Sequence, residues 1–170
     1  MDLGLSGKKA LVTGASKGLG FATARLLALE GARIAINSRN PQNLNEAAWK
    51  IRSACGQEVV GFPGDVSEPQ FPESLVAQSA ETLGGLDLLF TNAGGPPPGR
   101  FEILDEAAWQ DAIQASFMSH VRLIRAALPH LRKSSAPSVL AVTSYSVKQP
   151  IPNLILSNSV RLATVGLIKS

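Results

Sequence analysis

No stretch narrows the possible folds of this chain as far as Thr13-Gly14-Ala15-Ser16-Lys17-Gly18-Leu19-Gly20. Just before it, Lys9-Ala10-Leu11-Val12 is a short apolar run of the kind that buried parallel strands show. Just after it, Phe21, Ala22, Arg25, Leu26 and Leu29 recur at helical spacing, and Gly31 stands where a helix would stop. The three glycines therefore fall in a strand-to-helix turn. Without Cβ atoms they let the backbone turn tightly and come close to a ligand. The free N–H groups of the following helix, at its positive dipole end, suit a phosphate. With a strand before it and a helix after it, the turn is a candidate nucleotide site. The alternative is an ordinary turn, since short glycine patterns are common.

The rest of the chain alternates between two periods. Residues 8–13 read as a first strand, 19–30 as a first helix and 33–37 as a second strand. Asn40-Pro41 opens a second helix as cap and first residue, with Leu44, Ala47, Ala48 and Ile51 on one face and Gly56 at its end. A third strand over 59–62 leads to a helix carrying Phe71, Leu75 and Val76, stopped by Gly84-Gly85. Residues 86–91 read as a fourth strand, and 94–99 as a loop holding three consecutive prolines.

A long helical pattern follows, from Trp109 through Ala112, Ile113, Ser116, Phe117, His120, Val121 and Ile124 to Leu128, which Pro129 closes or kinks. Residues 138–143 read as a fifth strand. Pro150 and Pro152 mark another loop, and the last apolar face is Val160, Ala163, Thr164 and Leu167. Strands alternating with helices predict a parallel sheet covered on both faces, with ligands at the carboxyl ends of its strands.

A length of 170 residues fits one domain over 1–170 with a sizeable core. Hydrophobic residues at 45% and charged residues at 17% argue against disorder and for a soluble globular protein. The net charge of +3 is spread along the chain rather than clustered, which does not support nucleic-acid binding. Cys55 is the only cysteine, so neither an intrachain disulfide nor a cysteine metal cluster is expected, and no metal site is. Met1-Asp2-Leu3-Gly4 lacks the basic start and apolar core of a secretory signal, and no apolar run suits a membrane span. The expected location is the cytoplasm.

The glycine spacing, Gly-x-x-x-Gly-x-Gly, is one residue longer in its first gap than the dinucleotide fingerprint. It resembles the turn of the short-chain dehydrogenase/reductase family. Further marks of that family follow in order: Gly64-Asp65-Val66, Asn92-Ala93-Gly94 and a serine at the end of the fifth strand, Ser144. The resemblance thus runs along the whole chain. It implies an α/β fold, a Rossmann-like doubly wound parallel sheet with helices on both faces. In the family a helix like 157–169 continues into two further strands and a substrate-covering loop, so the expected fold lacks those last strands. Either the sequence is a fragment or the protein is naturally short. A sheet shortened in this way exposes an edge, and with the long helix it leaves apolar surface to cover, so a homo-oligomer is expected.

The resemblance makes Gly14, Ser16, Lys17, Gly18, Leu19 and Gly20 cofactor-binding. An acid at the end of the second strand would accept hydrogen bonds from the ribose 2′-hydroxyl and select NAD. Ser38 stands there instead, followed by Arg39. An arginine and Lys17 flanking the ribose would pair with a 2′-phosphate, so NADP is expected over NAD. The alternative is two solvated surface charges. By resemblance Asp65 and Val66 border the adenine ring, and Asn92, Ala93 and Gly94 lie along the cofactor. Asp65 simply capping the next turn is the other reading.

The family implies four catalytic roles. A serine ends the fifth strand, a tyrosine follows thirteen residues on, a lysine four after that, and an asparagine lies on the preceding long helix. The tyrosine is general acid or base, the lysine lowers its pKa and holds the ribose, the serine polarises the carbonyl, and the asparagine positions a relay water. Ser144 matches the first role. Ser157 stands in place of the tyrosine, Arg161 in place of the lysine and Ser116 in place of the asparagine.

A serine hydroxyl is a far weaker acid than a phenol of pKa near 10. Arg161 binds ribose or stabilises an oxyanion but exchanges no proton. Tyr145 and Lys148 offer a displaced pair, although at a strand end neighbouring side chains face opposite ways. His120 and His130 read as packed or surface histidines, and Trp109 as core.

The resulting expectation is an NADP(H)-dependent oxidoreductase passing hydride between nicotinamide and a carbonyl or alcohol, of 3-oxoacyl or sugar/alcohol type by resemblance. Its partner would be a small-molecule substrate, with no nucleic acid and no membrane. The alternatives are a catalytically silent dinucleotide-binding or interaction module, or a truncated fragment of a longer reductase.

Overall fold

Side chains of β1 (Lys9–Val12) alternate between two separate apolar layers, and that alternation builds the molecule. The structure, a computed structural model, describes residues 2–170. Ala10 and Val12 point to one face of the sheet, where they meet Ala24 and Ala28 of α1 (Gly18–Leu29) and Leu44, Ala48 and Ile51 of α2 (Pro41–Cys55). Leu11 points to the other, against Leu75 and Val76 of α3 (Phe71–Leu83) and Leu123 and Ala127 of α5 (Ser119–Leu131). With both faces covered, the strands read as continuous apolar runs.

β1 is joined by β2 (Arg33–Ser38), β3 (Val59–Pro63), β4 (Leu88–Thr91) and β5 (Ser138–Ala141) in one parallel sheet of order β3-β2-β1-β4-β5. The chain winds outward from β1 through β2 to β3, then returns to β4 on its other side. Val12 pairs with both Ile36 and Phe90, so the carboxyl ends of the three central strands lie level. A crevice opens where the winding reverses, the usual ligand place in such sheets. The expected α/β, doubly wound parallel sheet with helices on both faces is the observed fold.

Local signals hold where caps are strong. Asn40 Oδ1 accepts from the Asn43 N–H at 2.8 Å, Pro41 opens α2, and Gly56 closes it at φ 68°. Other boundaries need correction. β4 begins at Leu88 rather than 86, and β5 ends at Ala141 rather than 143, so Ser144 caps a 3-10 turn (Tyr145–Val147). The long helix starts at Glu106, because Asp105 accepts from the Ala108 N–H and caps it three residues before Trp109.

That helix neither ends nor breaks at Pro129, which lies in the last turn of α5. It changes pitch earlier. α4 (Glu106–Ile113) passes through one π turn, Gln114–Met118, into α5. Hydroxyls take up carbonyls there: Ser119 donates to Ala115 and Thr164 to Ser116.

Trp109 is half-buried at a small third cluster, its ring 6.4 Å from Phe101 in an edge-on pair. In α6 (Ile155–Lys169) the buried stripe is Leu156, Ser157, Val160, Arg161 and Thr164, while Ala163 faces outward. The expected apolar face is thus rotated, and polar side chains lie on the inner side. Among the described residues no helix is long and apolar enough to cross a membrane.

Candidate active site

The crevice is closed at its base by one threonine. Thr13 Oγ1 donates to the Asn92 carbonyl and accepts from the Asn92 N–H, both at 2.8 Å, fastening the end of β1 to the end of β4. Asn92 Nδ2 donates to the Gly14 carbonyl at 3.3 Å. Gly14, at φ 59°, has no room for more: a Cβ there would lie 2.8 Å from Asn92 Nδ2. Gly20 lies under the turn, where a Cβ would come within 2.3 Å of the Gly14 carbonyl oxygen. Gly18 also has φ 59°, but a Cβ on it would meet nothing within 4 Å. One glycine allows the turn to pack and another leaves space for a ligand.

A cleft of about 560 Å³ opens above. Gly14, Ser16, Lys17, Gly18 and Leu19 line one wall, Ser38 and Arg39 the far end, Asp65 and Val66 the rim, and Asn92, Ala93 and Gly94 the floor. Lys17 is the N-cap of α1, no side chain caps the helix and no acid stands in its first turn, so its first N–H groups are left for a ligand. Gly20 alone of the expected cofactor residues is absent from the walls.

Several wall residues were not read from the sequence. Asn37 donates to the carbonyls of Phe62 and Gly64, holding the β3 end beside β2. Asn40, legible only as a helix start, lines the cleft too, as do Asn43, Gly95 and Ala115. Asp65 lines the cleft and caps the turn that follows it. Its Oδ1 accepts from the N–H and hydroxyl of Ser67, and its Oδ2 stands 3.7 Å from Arg39 Nη1.

Three of the four residues in catalytic register, Ser144, Ser157 and Arg161, meet at the segment after β5. Ser144 Oγ accepts from the Ser146 N–H at 3.1 Å, which leaves its own proton free to donate. Ser146 and Ser157 share a buried hydroxyl contact at 3.2 Å. Arg161, one helical turn after Ser157, donates through Nη1 to the carbonyls of Val142 and Thr143, at 3.3 and 2.8 Å. Burial pulls its guanidinium below the usual arginine value. Ser116 lies in the π turn, buried, with its hydroxyl unpartnered.

The displaced Tyr145/Lys148 pair is not brought in. Tyr145 is 67% exposed with its hydroxyl donating to Gln149, and Lys148 is exposed. His120 is buried as expected, its Nδ1 2.7 Å from Thr91 Oγ1. Burial and then the charge of Arg161 push its pKa down to about 4.

The family model described as short chain dehydrogenase matches residues 8–170. This chain belongs to the short-chain dehydrogenase family. It is 32% identical over 167 residues to dehydrogenase/reductase SDR family member 4 of Bos taurus, covering 98% of this chain and 60% of that one. It superposes on L-sorbose reductase from Gluconobacter frateurii, solved with NADPH and L-sorbose, with TM-score 0.95 and 30% identity, covering 98% of this chain and 64% of that one. It also superposes on an NADPH-bound short chain oxidoreductase from Pseudomonas aeruginosa PAO1 described as containing an atypical catalytic center. There the TM-score is 0.90 at 28% identity, with coverage of 94% and 63%. The chain therefore spans about three fifths of the length of these relatives.

Proposed function

We propose that the cleft binds NADP(H) and that this chain forms the cofactor-binding part of a reductase acting on a carbonyl or alcohol. The observation that carries the reading is that Lys17, Ser38 and Arg39 all line the cleft, with no acid at the Ser38 position. A 2′-phosphate finds two cations there, and a 2′-hydroxyl finds no carboxylate acceptor at the strand end. The uncapped start of α1 suits the pyrophosphate, and open space over Gly18 and Gly94 lets the cofactor approach the backbone. Two NADPH-bound relatives share the fold over this region.

When bound, the cofactor supplies the hydride. The chain's own part is to hold the carbonyl and manage charge. Ser144, its Oγ lone pair taken by the Ser146 N–H, presents its O–H to the substrate oxygen and stabilises developing negative charge. The matching proton comes from solvent, because Ser157 is engaged with Ser146 and no phenol faces the site. The lack of that phenol also favours a second reading, a dinucleotide-binding module without turnover.

Fluorescence titration of NADPH and NADH against the chain tests the cofactor assignment. Assays of 3-oxoacyl, sugar and simple ketone substrates separate the two readings. Absence of any nicotinamide binding overturns both.

A further inference from the structure

Arg122 stands in the first turn of α5 and does not line the cleft, yet its guanidinium joins two of the cleft's walls. Nη1 donates to the Ser67 carbonyl at 3.2 Å, and Nη2 donates to Gln114 Oε1 at 2.7 Å. Ser67 lines the cleft beside Asp65 and Val66, and Gln114 opens the π turn just before another wall residue, Ala115. A planar fork fixes the directions of its donors, so the two acceptors are held at a set separation.

The loop between β3 and α3 that carries Ser67 is anchored on its other side by β2. Asn37 Nδ2 donates to the Gly64 carbonyl, and the Gly64 N–H donates to the Ser38 carbonyl, both at 3.1 Å. Within the loop Asp65 Oδ1 accepts from the N–H and the hydroxyl of Ser67. Val66 packs in the same apolar cluster as Leu123, the neighbour of Arg122. So β2 holds the start of the rim, and Arg122 holds its end to α5.

On the helix, Gln114 and Arg122 are eight residues apart and bracket the π turn. About 12 Å of helix axis separates such positions, so the arginine reaches back over the whole irregular turn. π turns are rare departures from regular pitch and recur at functional sites. Ser116, buried in this one with its hydroxyl unpartnered, is a residue in catalytic register. A run of polar contacts thus follows the cleft from Arg39 to Asp65, to Ser67, to Arg122 and to Gln114.

We propose that Arg122 is a positioning residue for the adenosine end of the cofactor, setting the Asp65–Ser67 rim against the π turn. This rests on the reading of the cleft as an NADP(H) site and adds a residue to it. Arg122 acts through the place at which it holds Ser67, not by touching the cofactor.

Calorimetry with NADPH and with its adenine half, adenosine 2′,5′-bisphosphate, tests the role. Arg122→Met is expected to weaken both by about tenfold, and Gln114→Ala by about threefold. The double variant should bind no more weakly than Arg122→Met alone, because Gln114 acts through the guanidinium. Arg122→Lys, which keeps the charge and one donor, should fall between the parent and Arg122→Met. Arg125→Met, at an exposed position of α5, should match the parent, which separates positioning from net charge. A merely structural role would lower the melting temperature and leave the affinity of the folded protein unchanged. Parental affinity for adenosine 2′,5′-bisphosphate in folded Arg122→Met, additive losses in the double variant, or an equal loss in Arg125→Met overturns the proposal. If Arg122→Met does not fold, Arg122→Lys and Gln114→Ala decide, and parental affinity in both overturns it. A parent that binds neither probe overturns the reading of the cleft itself, and this proposal with it.

Discussion

Nδ1 of His120 stands 2.7 Å from Oγ1 of Thr91, a hydrogen bond that ties the first turn of α5 to the last residue of β4. Asn92, Ala93 and Gly94 follow Thr91 directly, so this bond also steadies the cleft floor. The imidazole is kept neutral, first by burial and then by the charge of Arg161, with its pKa lowered to about 4.

Stability should therefore depend on pH through this one side chain. An unfolded histidine takes up its proton near pH 6.5, whereas the folded one takes it up near 4. Between those values the unfolded chain binds a proton that the fold refuses. The contribution is complete above about pH 6.5 and is lost as the pH falls towards 4, a total of about 3 kcal/mol. Urea unfolding at several pH values should show this slope in the parent and a flatter one in His120→Gln. Parallel slopes would show that His120 does not carry it.

Cofactor choice rests on a loose contact. Arg39 and Asp65 approach at 3.7 Å with side chains 77% and 34% exposed, a separation at which an ion pair contributes little. Arg39 is accordingly free to turn to a 2′-phosphate. The parent should bind NADPH about tenfold or more tightly than NADH, and Arg39→Asp should reverse that order. Asp65→Asn should leave NADPH affinity equal or slightly improved, since it removes a competitor for the guanidinium. Calorimetric titration of both cofactors decides the point, and equal affinities in the parent would remove the basis of the assignment.

Much of this was legible because the informative residues act locally. The glycine turn, the Asn40-Pro41 cap and the alternation of β1 each carry their meaning within a few positions. Twelve of the thirteen expected cofactor residues, all but Gly20, line the cleft. The failures have a common cause. The π turn at Gln114–Met118 leaves no signature in period or composition, and one of the two hydroxyls that take up its carbonyls, that of Thr164, comes from α6.

The same distance effect misled the reading of α6. A periodic pattern marks apolar residues, and here the buried stripe includes Ser157, Arg161 and Thr164, whose partners come from the β5 end and the π turn. Asn37 was invisible for the same reason. It lies inside a strand, and its role, holding the carbonyls of Phe62 and Gly64 at the end of β3, exists only once β2 and β3 are paired.

The glycines of the turn should separate by mechanism. In Gly20→Ala the new Cβ would stand 2.3 Å from the Gly14 carbonyl oxygen, a backbone atom that cannot yield without opening the turn. A loss of about 3 kcal/mol or more is expected, together with cofactor binding. Gly18→Ala meets no atom within 4 Å and suffers only its left-handed backbone, about 1 kcal/mol. It should stay folded and weaken cofactor binding by filling ligand space. Thermal melts and NADPH titrations of the two variants, run together, check the order, and equal melting temperatures would contradict it.

Turnover, where present, should depend on Ser144 and not on a side-chain acid. Ser144 has its oxygen occupied by the Ser146 N–H and its proton available, so Ser144→Ala removes the donor proposed to meet the substrate oxygen. Losing a donor of that kind costs roughly a hundredfold or more in kcat. Tyr145 points to solvent with its hydroxyl on Gln149, so Tyr145→Phe should leave kcat unchanged. Ser157 holds Ser146 rather than substrate, so Ser157→Ala should loosen the Ser144 turn and cost less than Ser144→Ala. Because general acid help is worth roughly a hundred- to ten-thousand-fold, the parent should be slow, with kcat rising as solvent proton donors such as buffer acids are added. Steady-state rates of the three variants against buffer concentration on one accepted carbonyl substrate distinguish these roles. A collapse of activity in Tyr145→Phe, with Ser144→Ala intact, would place the chemistry on the outward Tyr/Lys pair instead.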